Sequence, residues 1–175
     1  NILVAAAEDR NVYGLDPNTG ERKWQFEVGQ ALACPPVIAG NTVVLGLANR
    51  TVMAINAETG EASWSDALKL QDSIRGNMAA TAERFIVCDE SRNVQCFDVA
   101  TARPLWSQRI GELAANVAPV IFDDTAYLHA GTYVLGLSIN SRGAARYSVN
   151  VREAVVQPVG VSVDMVAVAT ESGKI

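Results

Sequence analysis

The chain has 175 residues, 49% of them hydrophobic and 19% charged, enough to bury a substantial core within the usual size of one domain. Its formal net charge of −5, with no Lys/Arg cluster along the sequence, argues against nucleic acid as a partner. The most apolar region, residues 155–170, is interrupted by Gln157, Pro158 and Asp164 and is too short to cross a bilayer as a helix.

In chain order, the first unit, about residues 1–34, carries the block Val12-Tyr-Gly-Leu-Asp16-Pro-Asn-Thr19-Gly20-Glu-Arg-Lys-Trp24. The second unit, about 35–76, opens on Pro35-Pro36-Val37-Ile38 and repeats the block from Val52 through Asn56, Thr59 and Gly60 to Trp64. In the third, about 77–116, Met78-Ala79-Ala80 replaces the Pro-Val pair, and Val94, Asp98, Thr101, Ala102 and Trp106 mark the block. The fourth, about 117–156, opens on Pro119-Val120-Ile121 and ends on an eroded copy from Val134 to Tyr147; residues 157–175 begin another unit. The aromatic positions stand 40, 42 and 41 residues apart. A period near 40 residues made of short β-branched runs split by turn residues is that of a four-stranded propeller blade.

The block has a physical reading. Asp16, Asn56 and Asp98 can accept backbone N–H bonds in a turn, and the following Gly supplies positive φ. Trp24, Trp64 and Trp106 are expected to start the outer strands, at equivalent positions on successive blades, each with its indole N–H on a backbone partner. The fold class is therefore all-β, a β-propeller with about four four-stranded blades, filling residues 1–175 as one partial ring. Opening at Asn1 without an initiator Met and closing at Ile175 inside an expected hairpin, the chain reads as a fragment of a seven- or eight-bladed ring.

Motifs of catalysis and metal binding do not occur: there is no G-x-S-x-G, P-loop, H-E-x-x-H or EF-hand pattern. His129 is the only histidine, and a packing role fits it better than a catalytic one. Asp123-Asp124 falls at an expected turn, and the sequon Asn49-Arg50-Thr51 is accounted for by a hairpin turn. Cys34, Cys88 and Cys96 show no metal-ligand spacing. Cys88 and Cys96 align with Gly and Ala of other copies, as small core residues do, although the spacing leaves open whether they face each other across a hairpin.

The stretch Gly14-Leu15-Asp16-Pro17-Asn18-Thr19-Gly20-Glu21-Arg22-Lys23-Trp24 resembles the pyrroloquinoline-quinone (PQQ)-like repeat, and the resemblance covers essentially the whole chain. Within that group, residues 28–37 and Leu70-Gln71-Asp72-Ser73-Ile74-Arg75-Gly76 are similar to the BamB family of outer-membrane β-barrel assembly lipoproteins, whose Ser-Leu-Arg-Gly type loop docks a barrel partner. The resemblance implies a non-catalytic scaffold of the bacterial periplasm at the outer membrane, anchored by an upstream lipidated segment, with a BamA-like protein partner and no cofactor. It places partner binding at Ser73, Ile74, Arg75 and Gly76, with Arg75 as polar anchor and Ile74 as apolar contact. One departure is that Ala114 and Asn116 stand where the family carries an acidic pair. The same repeat also occurs in PQQ-dependent dehydrogenases and in ligand-sensing domains of membrane receptors and kinases, which are the alternative readings. The adjacent cysteines and carboxylate-rich calcium site expected of the former do not occur in the sequence.

Overall fold

The structure is a computed structural model that describes residues 1–111, 118–156 and 159–173. Its strands run β1 (Leu3–Ala6), β2 (Asn11–Leu15), β3 (Arg22–Glu27), β4 (Val37–Ala39), β5 (Thr42–Gly46), β6 (Thr51–Asn56), β7 (Leu68–Lys69), β8 (Ala79–Ala80) and β9 (Arg84–Cys88). They continue as β10 (Asn93–Asp98), β11 (Pro104–Arg109), β12 (Val120–Phe122), β13 (Thr125–Ala130), β14 (Tyr133–Ser138), β15 (Ala145–Asn150), β16 (Gly160–Val161) and β17 (Val166–Ala167). Three antiparallel sheets have four strands in sequence order, β4–β7, β8–β11 and β12–β15; β1–β3 form a three-stranded sheet and β16–β17 a two-stranded one. The short strands β4, β8, β12 and β16 lie side by side, which makes them the innermost strands around a common axis. This is the propeller expected from the repeat.

Each block residue finds the role its chemistry suits. Asp16 Oδ1 accepts the amides of Asn18 and Thr19 at 2.9 and 3.3 Å, and Asn56 Oδ1 accepts those of Glu58 and Thr59 at 2.8 and 3.1 Å. Asp98 Oδ1 accepts the amide of Thr101 at 2.8 Å. Gly20 and Gly60 close these turns at φ 75° and 74°; in the third copy Ala102 holds φ 57°, a left-handed conformation that strains a Cβ-bearing residue.

The tryptophans join blade to blade. Trp24 Nε1 donates to the Ala57 carbonyl at 3.0 Å, Trp64 Nε1 to Val99 at 2.7 Å and Trp106 Nε1 to Ile139 at 2.9 Å. All three acceptors follow directly on the Asp/Asn/Ser of the next blade's turn, so the positions are equivalent. A Cβ on Gly14 would come within 2.1 Å of the Trp24 ring from its own blade, and one on Gly60 within 2.7 Å from the next. Trp24 fills that slot; in the third blade Cys96, the register partner of Trp106, stands in the place of Gly14.

One expectation is corrected and one open question is answered. Trp24 and Trp106 lie inside β3 and β11, but Trp64 lies ahead of the two-residue β7, half-buried against Phe85 at 5.8 Å. The residues after it, Ser65 and Asp66, bond to each other at 3.1 Å, a local alternative to the ladder. Cys88 and Cys96 do not face each other: Cys88 pairs with Val94 and Cys96 with Ile86, and both thiols are free and buried with Cys34. Burial pushes the Cys88 thiol up to about 12 and the Cys96 thiol up to about 11.

Candidate functional site

Among the described residues, three linkers run back along the end of the blade ahead. In the first, Leu32 bridges Leu47, with Ala33 N donating to Gly46 O and Ala48 N to Ala31 O at 2.8 and 2.9 Å. In the second, Ile74 bridges Asp89, with Arg75 N donating to Cys88 O and Glu90 N to Ser73 O at 2.7 and 2.9 Å. Val155 and Thr170 repeat the pattern in the last. The Ser73–Gly76 segment is thus a two-residue-wide ladder, its backbone pinned to the end of β9, rather than a free loop.

Side chains add a second layer of attachment. Arg75 Nη1 and Glu90 Oε2 form an ion pair at 2.9 Å, the Arg75 side chain being 19% exposed and that of Glu90 52%. Ser91 Oγ donates to Asp72 Oδ2 at 2.6 Å, and the Ser73 amide donates to Asp72 Oδ1 at 2.8 Å. These bonds, the serine hydroxyl first and Arg50 in support, hold the Asp72 carboxyl below its usual range. Gly76 turns the chain away at φ 72°.

Ile74 is the residue whose expected role changes. It is 9% exposed and belongs to the core between the second and third blades, with Cys34 and Met78. A Cβ on Gly46 would stand 2.6 Å from Ile74 Cδ1, so the absence of a side chain there makes room for it. So placed, Ile74 anchors the segment from beneath. Ser73, Arg75 and Gly76 remain partly exposed around it. Met78, out of pattern in the sequence, is 4% exposed and completes this anchor pocket.

The segment's partners on β9 and the following turn, Asp89, Glu90 and Ser91, were not singled out by sequence reasoning. A signal existed for Asp89: the repeat places Ala7 and Leu47 at that position, and a carboxylate breaks the pattern. Ala114 and Asn116, which stand in place of the family's acidic pair, lie outside the described residues. Among the described residues no group of three or more His, Cys, Asp or Glu could hold a metal ion, and no helix is long and apolar enough to cross a membrane. His129 is 3% exposed at the β13 position equivalent to Gly46 and Cys88, and burial lowers its pKa.

Comparisons with known proteins agree with this architecture. A relative from Bordetella pertussis, outer membrane protein assembly factor BamB, is 29% identical over 157 residues, covering 80% of this chain and 40% of its own length. The same factor from Moranella endobia is 23% identical over 150 residues, covering 83% and 39%. The chain thus spans about two-fifths of the length of these relatives. Among solved structures, BamB from Moraxella catarrhalis superposes with a TM-score of 0.75 at 18% identity, over 98% of this chain and 56% of that one. The computationally designed protein Ika8 reaches 0.75 at 16% identity, over 99% and 54%, so the likeness to solved structures is one of fold. The sequence pattern of the family described as outer membrane protein assembly factor BamB matches residues 8–154, and the chain belongs to that family.

Proposed function

We propose that this chain is part of a non-catalytic, BamB-like scaffold that helps assemble β-barrel proteins at the outer membrane from the periplasmic side. Its work is to hold a BamA-like barrel-assembly component, with no cofactor taking part. The docking surface is the second linker: Ser73, Arg75 and Gly76 face the partner, and Ile74 holds them in place from the core.

The observation that supports this most is the double attachment of the segment. Two backbone bonds, the Arg75–Glu90 ion pair and the Asp72–Ser91 bond fix its shape before any partner arrives. A preformed surface loses little conformational entropy on association, and a partly buried Arg is a frequent centre of interface energy. Membership of the BamB family supports the partner class. The names of the relatives, all outer membrane assembly factors, support the compartment.

The test is to replace Arg75 by Glu in the full-length protein and measure retention of its purified BamA-like component. Reversing the charge next to Glu90 is expected to weaken binding at least tenfold, a loss in line with a central interface Arg. Undiminished retention would overturn the site.

A further inference from the structure

We infer that Asp89 is a positioning residue for the Ser73–Gly76 surface: buried under the turn that faces the segment, its carboxylate fixes where Glu90 stands and so how Arg75 is presented. The inference rests on reading that segment as the docking surface.

Asp89 is 0% exposed, at the end of β9, where it bridges Ile74. Its Oδ1 accepts the Asn93 backbone amide at 2.8 Å and the Asn93 side-chain amide at 3.1 Å. Its Oδ2 accepts the Asn93 side-chain amide at 2.9 Å and the Gln95 side-chain amide at 2.8 Å. All four are neutral donors, and among the described residues no Lys or Arg is paired with this carboxylate. A buried anion held only by amides is costly and calls for a reason.

The turn itself does not supply that reason. Asp89 N donates to Asn93 O and Arg92 N to Asp89 O, both at 3.0 Å. The same pair of bonds closes residues 7–11, at 3.1 and 3.3 Å, and residues 47–51, at 2.9 and 3.2 Å, with Ala7 and Leu47 in the place of Asp89. In all three turns an Arg takes the left-handed position, Arg10, Arg50 and Arg92 at φ 65°, 66° and 68°. The geometry forms without a carboxylate.

What distinguishes the third turn is what it must hold. Its next residue, Glu90, is bonded to the linker twice, by its amide to Ser73 O and by its carboxylate to Arg75. Ser91 then reaches Asp72. Asn93 and Gln95 are register partners of the outer strand residues Arg109 and Ser107, so the carboxylate ties the turn to the middle of the sheet. A turn locked from below keeps Glu90 in one place, and a fixed Glu90 keeps the Arg75 guanidinium in one orientation.

The test compares Asp89→Leu, which carries the side chain of Leu47, and Asp89→Asn, which keeps the shape, with the parent full-length protein. Three quantities are read: the thermal midpoint, amide hydrogen exchange residue by residue, and retention of the purified BamA-like component. For Asp89→Leu the midpoint is expected to stay within a few degrees, because a buried charge gives way to an apolar side chain. Exchange at Arg75 and Glu90 rises about tenfold while that at Val44 and Val87 is unchanged, the signature of local rather than global opening. Binding falls about tenfold, with Asp89→Asn in between. Unchanged exchange at Arg75 and Glu90, or unchanged binding, overturns the inference. So does loss of folding in both variants, since the carboxylate would then serve the core. If Arg75→Glu weakens binding and Asp89→Leu does not, the docking surface stands and the positioning role falls. If Arg75→Glu has no effect, the docking reading fails and the exchange data still decide whether Asp89 holds the segment.

Discussion

The first and second linkers use the same backbone to different ends. Both run antiparallel to the blade ahead, both make the same two amide bonds, and both put an aliphatic residue, Leu32 or Ile74, against the end of an inner strand. Leu32 bridges Leu47 and is flanked by Ala31 and Ala33; Ile74 bridges Asp89 and is flanked by Ser73 and Arg75. The scaffold is therefore indifferent to what it presents at this place. Recognition can be written into one linker without disturbing its neighbour, because the ladder is paid in main-chain bonds.

The sharpest way to break the comparison is to write the second linker's chemistry into the first without its supports. Leu47→Asp puts a carboxylate at a position 2% exposed, where Thr51 and Met53 stand in place of Asn93 and Gln95. The expected loss is about 3–5 kcal/mol, read from denaturant unfolding, because the charge is left without the side-chain amide donors that Asp89 has. Next in size, Ile74→Ala should cost about 2–4 kcal/mol, as an anchor 9% exposed, and Leu32→Ala, half-buried, clearly less. Equal costs would mean that the two anchors are not differently used.

A pH titration sharpens the contrast further along the chain. His129 occupies the place of Gly46 and Cys88, and burial holds its pKa below the ordinary 6.5. The unfolded chain then takes up the proton first, so stability is present above pH 6.5 and lost as the pH falls through the depressed folded value. His129→Gln should flatten that part of the stability curve measured by thermal unfolding. A smaller gain is expected from Ala102→Gly, which relieves φ 57° in the third turn by about 0.5–1 kcal/mol in the same assay. Smallest of all, Glu90→Gln should change stability by less than about 0.5 kcal/mol, since the carboxylate is 52% exposed and its pairing is screened by salt.

How much of this was legible beforehand depends on the kind of residue. Trp24, Thr19, Gly20 and their copies announced the blades because they recur at a fixed spacing, one to bridge, the others to turn, although Ala102 and Tyr147 replace them in later copies. Trp64 showed the limit of that reading: that its indole would find a backbone partner was expected, whereas the acceptor Val99 and the broken strand around it, with Ser65 bonded to Asp66, came only with the structure. For the candidate surface, Ser73 to Gly76 could be picked out by resemblance, but which of them face outward could not. That Ile74 points inward follows from Gly46, 28 residues earlier, and only the folded chain brings the two together. Asp89 was visible as a departure from Ala7 and Leu47, yet its meaning required Asn93 and Gln95 in three dimensions.

The indole bonds also give the ring a sense of direction. Each of Trp24, Trp64 and Trp106 reaches forward, from its own blade to a carbonyl of the one that follows, and none reaches back. In an array whose stability is a sum of blades and nearest-neighbour contacts, such one-way stapling makes damage asymmetric. A blade whose turn comes apart strips the acceptor from its predecessor's tryptophan, while its own tryptophan still has a partner ahead. Fraying is then expected to travel toward lower residue numbers more readily than toward higher ones.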